Sequence, residues 1–517
     1  MVNKSYCATC IGVDAVIVTV EVDLSVGVGI HLVGLPDSAV RESLLRVITA
    51  LNSYGFHIPG RRIVVNLAPA DIRKEGSAYD LAIAVGMLAV SGQIQTESCG
   101  QFVMMGELAL DGRLRMVPGV LPVALQARAQ GFHYCIFPAE SAKEAAEVEG
   151  LTVYGVSTLA EAIEVLTRRD DCEHLRVSRT SIEEVALHVG NDFRQVRGQH
   201  TAKRGLEIAA AGNHNIILVG APGSGKSLMA SCLPSILPPM TRDEAVETGK
   251  IYSVAGRGAS RPGLMRERPF RAPHHSASLV SLIGGGSNAA PGEISLADNG
   301  VLYLDEIAQF NRSLLDALRQ PIEDGKVTIS RAKYKVVYPA HFMLVASMNP
   351  CPCGYYGDDT ARCTCTRGAV DSYLSRLSGP FMDRIDLQIW VRSLTAAELL
   401  GLANPKAPLP PEEDSGTIAK RVLAARAIQA RRFAEEGIFT NAGMNARQIE
   451  RYCALSDECR KTLEKILDRM GLSARAYTRI LKVARTIADL AAEPDILPAH
   501  LMEAAGFRFL DRRRIID

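Results

Sequence analysis

The sequence predicts a multidomain α/β chain, with a phosphate-loop core built on a parallel sheet at its centre and a helical bundle at its end. Three observations predict it. Residues 220–227 read GAPGSGKS, preceded by the apolar run Asn215-Ile-Ile-Leu-Val219 and running on into SLMASCL, so that strand, tight loop and helix follow in order. Strand-like and helix-like runs alternate through residues 1–167, whereas residues 417–517 have helical periodicity with few β-branched runs. At 517 residues the chain is too long for a single hydrophobic core, so separate domains are expected.

In residues 1–167, VDAVIVTVEVDL, RRIVVNLAP and HYCIFP read as strands, while DSAVRESLLRVITALNSYG, AYDLAIAVGMLAVSG and LPVALQARAQG read as helices. The charge-rich stretch RRDDCEHLRVSRTS falls in a linker over 168–191, the phosphate-loop core is expected over 192–395, and PKAPLPPEEDSG marks a second linker over 396–416. The composition, 47% apolar and 22% charged, is that of a globular protein in water. No apolar run approaches the roughly 18 residues of a membrane span, and the N-terminus alternates with Asp14, Glu21 and Asp23 like a strand, not a secretory signal. A cytoplasmic chain without membrane contact is the expectation. With a formal net charge of +1, any footprint for nucleic acid must be local.

The spacing of Gly220, Gly223 and Gly225 lets the backbone of Gly220-Ala221-Pro222-Gly223-Ser224-Gly225 turn its amides inward around phosphates. Lys226 then supplies a point charge for the β and γ phosphates of ATP, and Ser227 a hydroxyl for Mg²⁺. Downstream, the apolar run Val301-Leu-Tyr-Leu304 ends in Asp305-Glu306. Two acids at the end of a buried strand are costly unless they meet a cation; Asp305 suits hydrated magnesium and Glu306 the polarisation of an attacking water. A third apolar run, His341–Ala346, leads to Ser347, Met348 and Asn349, whose amide is placed to orient water against the γ phosphate.

Four of the 12 cysteines, Cys351, Cys353, Cys363 and Cys365, form two C-x-C pairs, a set that suits tetrahedral zinc in a closed structural site. Four free thiols and an iron–sulfur cluster are the alternatives. Cys7 and Cys10 form a lone C-x-x-C that reads as incidental. Arg331, Lys333 and Lys335 alternate with Ala332 and Tyr334 between two strand-like runs, so they share one face of an extended hairpin that either tracks a DNA backbone or is a solvated charged edge. Arg257, Arg261, Arg266, Arg268 and Arg271 lie among glycines and prolines in what reads as a mobile loop and a further pore-loop candidate, and His274 and His275 after them read as a packing pair, with metal binding as the alternative.

Asn349 after its strand, PFMDRID at 380–386 and GLSARAYTRIL at 471–481 resemble sensor 1, the arginine finger and sensor 2 of an AAA+ ATPase. FRAPHHSAS and GGGSNAAPGEISLADNGVLYLDE resemble the magnesium-chelatase-like branch of that superfamily. VEVDLSVGVG, VGLPDSAVRES, VNLAPADIRKEGSAYDLAIA and NPCPCGYYGD resemble the ComM-type family, bacterial hexameric helicases of branch migration in natural transformation. Asp298 departs from it, standing where that family often has histidine.

The resemblance implies an AAA+ core with a C-terminal helical lid, a homo-hexamer, and DNA, single-stranded or branched, as partner. It makes Arg384 the finger that enters a neighbour's site, with Arg376 as rival, and Arg475 the lid residue that senses nucleotide; it also points the basic hairpin into the ring's pore. A guanidinium suits both arginine roles because it stays charged and forks onto phosphate oxygens.

The N-terminal domain resembles the Lon-type protease fold, but aligned through Gly76 the nucleophile position falls on Ala78, with Ser77 one residue early, and the partner amine falls on Leu121. Without an amine to activate a serine, an inactive Lon-like domain is expected. A chelatase-like motor acting on a protein partner and an ATP-dependent protease are the competing functions.

Overall fold

A computed structural model of the chain describes residues 2–95, 99–179, 190–258, 264–286, 288–330, 335–358, 362–394, 412–471 and 474–511. The N-terminal part is a seven-stranded mixed sheet in the order Ile30–Val33, Arg62–Ala68, Asp14–Ser25, Val2–Ile11, Phe102–Met104, Tyr134–Pro138, Thr152–Val156. Its first two strands form a long antiparallel hairpin, of which the sequence announces chiefly the second, because Val2–Ile11 carries few β-branched residues. Cys7 and Cys10 are three apart on that strand and therefore point to opposite faces, which rules out a common ligand between them. Helices Ser38–Ser53, Asp80–Val90 and Val120–Ala129 cover the sheet, and all but the last residue of Asp80–Val90 are buried.

The second part is a five-stranded parallel sheet in the order Phe270–Arg271, Val301–Leu304, Met343–Met348, Ile216–Gly220, Leu387–Val391. Alternation decides its two faces. Ile216, Leu218, Tyr303 and Val345 join the core that also holds Leu206, Val422 and Ile480 from three helices. Ile217, Val219, Leu304 and Ala346 join a second core with Leu318 and the hairpin residues Val327 and Tyr338. A sheet covered on both faces can use unbroken apolar strands, which is why these runs are so legible. The C-terminal helices Ser415–Arg432, Ala446–Tyr452, Asp457–Met470, Ala474–Leu490 and Pro498–Gly506 share the first of these cores.

The two parts meet along helix Arg242–Val254, whose start carries a Thr241/Glu244 capping box. Gly119 N donates to Ser253 O at 3.0 Å and Leu121 N to Ser253 Oγ at 3.2 Å, while Lys250 pairs with Asp14 at 3.2 Å. The turn at Gly12 lies against Val336 of the basic hairpin, and Val13 is buried in the core that holds the hairpin's inner residues. Among the described residues no helix is long and apolar enough to cross a membrane.

Candidate nucleotide site

The site forms at the carboxyl ends of three adjacent parallel strands, where the fall-away of the chain leaves a crevice. Gly220 ends one strand and the loop returns to helix Lys226–Cys232 through Gly223 at φ 76° and Gly225 at φ 91°, conformations open to glycine at little cost. Lys226 Nζ donates to Gly220 O at 2.8 Å, Ala221 O at 2.9 Å and Asn349 Oδ1 at 3.4 Å. Burial pulls the ammonium below its ordinary range, with Asp305 and Glu306 acting against that. Ser227 Oγ donates to Asp305 Oδ2 at 3.0 Å, so the hydroxyl and the carboxylate that suit one magnesium ion already face each other.

Leu304 pairs with Ala346, which brings the next residues on each strand, Asp305 and Ser347, side by side. Ser347 Oγ donates to Asp305 Oδ1 and accepts from Glu306 N at 3.3 Å, and Tyr303 OH lies 3.2 Å from Ser347 Oγ. Burial alone would raise the Asp305 carboxyl, yet hydrogen bonds from Ser347, Tyr303 and Ser227 hold it below its usual value, so it stays ionised. Glu306 stands at φ 50°, a strained backbone for a non-glycine residue, with its side chain exposed. Sequence reading missed Ser347 as a member of the site; it lies two residues before Asn349, on the same side of an extended chain, a signal that was available.

The arginines lie elsewhere. Arg384 is 7% exposed, with Nη2 2.5 Å from Glu323, Nε donating to Arg319 O at 3.1 Å, and Nη1 to Pro380 O. Arg376 is exposed, stacks over Tyr373 at 5.5 Å and donates to Ala308 O at 3.3 Å. Arg475 donates to Asp383 at 2.7 Å and Arg479, one turn on, to Asp386 at 2.7 Å. Burial would raise the Asp386 carboxyl, but Arg479 and His214 hold it far down. Helix Ala474–Leu490 is therefore tied to the segment carrying Arg384 at two points, and a cavity of about 250 Å³ lies there, lined by Glu323, Asp383, Arg384, Arg475, Arg479 and Lys482 among others.

The cysteine cluster passes the test for a tetrahedral ion. The Sγ atoms of Cys351 and Cys353 are 3.3 Å apart, of Cys351 and Cys363 3.9 Å, and of Cys353 and Cys363 3.7 Å, with all four ligand atoms within 4.8 Å of one another. Ligands about 2.3 Å from a tetrahedral centre stand about 3.8 Å apart. Backbone amides of Tyr355 and Thr364 pull the Cys353 thiol down to about 6, whereas the neighbouring thiols push Cys363 up and Cys365 up to about 11, as expected of sulfurs crowded together.

The hairpin consists of Lys326–Ser330 and Lys335–Pro339, antiparallel, with Val327, Ile329, Val336 and Tyr338 buried and Lys335 exposed. Arg331 and Lys333 lie outside the described residues. The arginine-rich segment differs from the mobile loop read from its composition: Arg268 forks onto Glu244 at 2.9 Å, and Arg271, in the sheet's edge strand, pairs with Glu293 at 2.6 Å. Their charges are spent inside the domain, a long-range pairing that composition does not reveal. Arg261 lies outside the described residues. His274 and His275 are exposed, with ring centroids 4.0 Å apart and the rings tilted by 35°, and His275 meets Phe310 edge-on. Asp298 is fully buried and accepts from His341 N at 2.7 Å.

Three family models match successive stretches: "Subunit ChlI of Mg-chelatase" over 20–141, "Magnesium chelatase, subunit ChlI" over 192–399 and "Magnesium chelatase, subunit ChlI C-terminal" over 412–508. The chain is 44% identical to the competence protein ComM of Haemophilus influenzae, across 98% of this chain and 97% of that one. It is 42% identical to YifB of Salmonella typhimurium, across 97% and 96% respectively. To the magnesium-chelatase 67 kDa subunit of Heliobacterium mobile it is 26% identical, over 30% of this chain and 27% of that one. With identity sustained from end to end in the first two and confined to a fraction of the third, the chain belongs to the ComM/YifB-like family of magnesium-chelatase-related proteins.

Proposed function

We propose that the protein is an ATP-hydrolysing AAA+ motor that works as a homo-hexamer on DNA, as a helicase that promotes branch migration during recombination and natural transformation. The observation that carries the nucleotide chemistry is the convergence of Lys226, Ser227, Asp305, Glu306 and Asn349 at one end of the parallel sheet. In this reading the backbone of Gly220–Gly225 and Lys226 bind the phosphates, Ser227 and Asp305 hold Mg²⁺, Glu306 polarises water and Asn349 orients it. Cys351, Cys353, Cys363 and Cys365 hold a structural Zn²⁺, which with four thiolates has no open position for catalysis.

Arg384 acts on a neighbour's nucleotide, and its pairing with Glu323 implies that it leaves that carboxylate on assembly. Arg475, bound to Asp383 beside it, moves with it. The DNA half of the proposal is supported by the likeness to the competence protein of Haemophilus influenzae and by the basic hairpin that follows helix Arg312–Asp324, which bears Glu323. The protease alternative finds little support, since Ser77 Oγ donates to Glu107 and the buried Lys74 donates to Pro69 O. The test is ATP turnover by the purified chain with and without forked and four-way DNA. Stimulation by DNA is expected; turnover indifferent to DNA would instead favour a chelatase-like motor acting on protein.

A further inference from the structure

The cysteine turn approaches the nucleotide site at Gly354. It stands at φ 88°, and a Cβ there would lie 2.7 Å from Cδ and 2.8 Å from Cγ of Pro222, with Asn349 Cγ at 3.9 Å. The turn thus rests on the ring of Pro222, inside the phosphate loop, and beside the amide that meets Lys226. Cys351, fully buried, follows Asn349 by two residues. Between Pro352 and Thr366, Gly354 is the one buried residue among those described, so the turn has almost no apolar core of its own. A segment of that kind keeps one conformation only if something other than packing offsets its chain entropy.

We propose that occupancy of Cys351, Cys353, Cys363 and Cys365 by metal positions Pro222 and Asn349, so that the four-cysteine site and the phosphate loop are thermodynamically linked: metal tightens nucleotide binding, and nucleotide tightens metal binding. The proposal rests on reading Gly220–Ser227 as a nucleotide site. Four thiolate bonds fix the turn, the turn presses on Pro222 through Gly354, and the chain from Cys351 back to Asn349 is too short to move independently. Released from the ion, the turn gains freedom, and the loop and amide lose their backing. Reciprocity is obligatory for binding equilibria, so the factor by which metal strengthens nucleotide binding equals the factor in the other direction.

The test uses the full chain, with Zn²⁺ as probe. Metal content is measured by atomic emission, zinc affinity by competition with a chromogenic chelator in the presence and absence of ATPγS, and nucleotide affinity with a fluorescent ATP analogue on zinc-loaded and zinc-stripped protein. One zinc per chain is expected, with ATPγS tightening zinc binding on the order of tenfold and stripping weakening nucleotide by the same factor. Lys226→Ala, unable to bind nucleotide, should show no effect of ATPγS on zinc. Pro222→Ala should keep one zinc per chain while the linkage shrinks toward unity.

The zinc competition needs no stripped protein, so the inference stays testable even if the stripped form unfolds. Absence of bound zinc overturns the proposal. Zinc and nucleotide that both bind with no mutual effect overturn the linkage and leave the nucleotide site standing. Failure of the analogue to bind zinc-loaded protein overturns the nucleotide reading and the linkage with it.

Discussion

Asp305 concentrates the electrostatics of the site: a carboxylate at a strand end that three hydroxyl groups keep charged, aligned with the Ser227 hydroxyl. Its neighbour Glu306 has a strained backbone at φ 50° and an exposed side chain. Glu306→Gln should leave nucleotide affinity within a few-fold and lower kcat about 10²- to 10⁴-fold, as measured by equilibrium binding and steady-state phosphate release. Lys226→Ala should abolish binding itself. Normal turnover by Glu306→Gln would show that another group polarises the water.

The two arginines also part at this scale. Arg384→Ala should lower turnover by about 10³-fold if it stabilises a neighbour's transition state, whereas Arg376→Ala should cost far less. The reverse ranking, read from the same turnover assay, would make Arg376 the finger.

Among the elements, helix Arg242–Val254 joins the two parts of the molecule, and Glu144 marks the seam. Its carboxyl, 7% exposed, is pushed by burial up to about 7 from 4.5, with a hydrogen bond from Ser253 opposing. The folded state therefore keeps its proton up to about pH 7 while the unfolded chain loses it near 4.5. The associated stability is fully present below the lower value, declines as pH rises through the window and is level above it. Glu144→Gln, which cannot ionise, should be more stable than the parent above pH 7 by on the order of 3 kcal/mol, an advantage that disappears toward pH 4.5. Urea midpoints across that range check this; parallel curves for the two proteins would contradict it.

The elements also show what the sequence could reveal. The phosphate loop and the strands Val301–Leu304 and Ile216–Gly220 were legible because their demands, glycines at fixed spacing and unbroken apolar runs, lie in contiguous residues. Strand Met343–Met348 begins two residues later than its apolar run, His341 being engaged by Asp298. The pairing of Arg384 with Glu323, the clamp of Arg475 and Arg479 on Asp383 and Asp386, and the contact of Gly354 with Pro222 join distant stretches and leave no local signature. The pairing of Arg268 with Glu244 and of Arg271 with Glu293 was hidden for the same reason.

On the scale of the whole molecule, helix Arg312–Asp324 runs into the basic hairpin and, through Glu323, meets Arg384, so that in the proposed motor these three would link a neighbour's nucleotide to DNA. The turn at Gly12 sits against the same hairpin. Replacing Arg331, Lys333 and Lys335 together by alanine should weaken DNA binding and lower the slope of log affinity against log salt by up to about 3, near one per lost phosphate contact. Basal ATP turnover should be kept. An unchanged slope would remove the hairpin from the DNA path.

The central claim, that turnover between protomers moves DNA, is tested most directly by mixing subunits on a four-way junction. Lys226→Ala protein lacks a working nucleotide site and Arg384→Ala protein lacks a working finger, so each alone should neither hydrolyse ATP nor move the junction. Mixed in equal amounts, they should regain part of both activities, because some seams then pair an intact site with an intact finger. A mixture as inactive as its components, beside a wild-type chain that stays a single protomer and leaves the junction in place, would contradict the account.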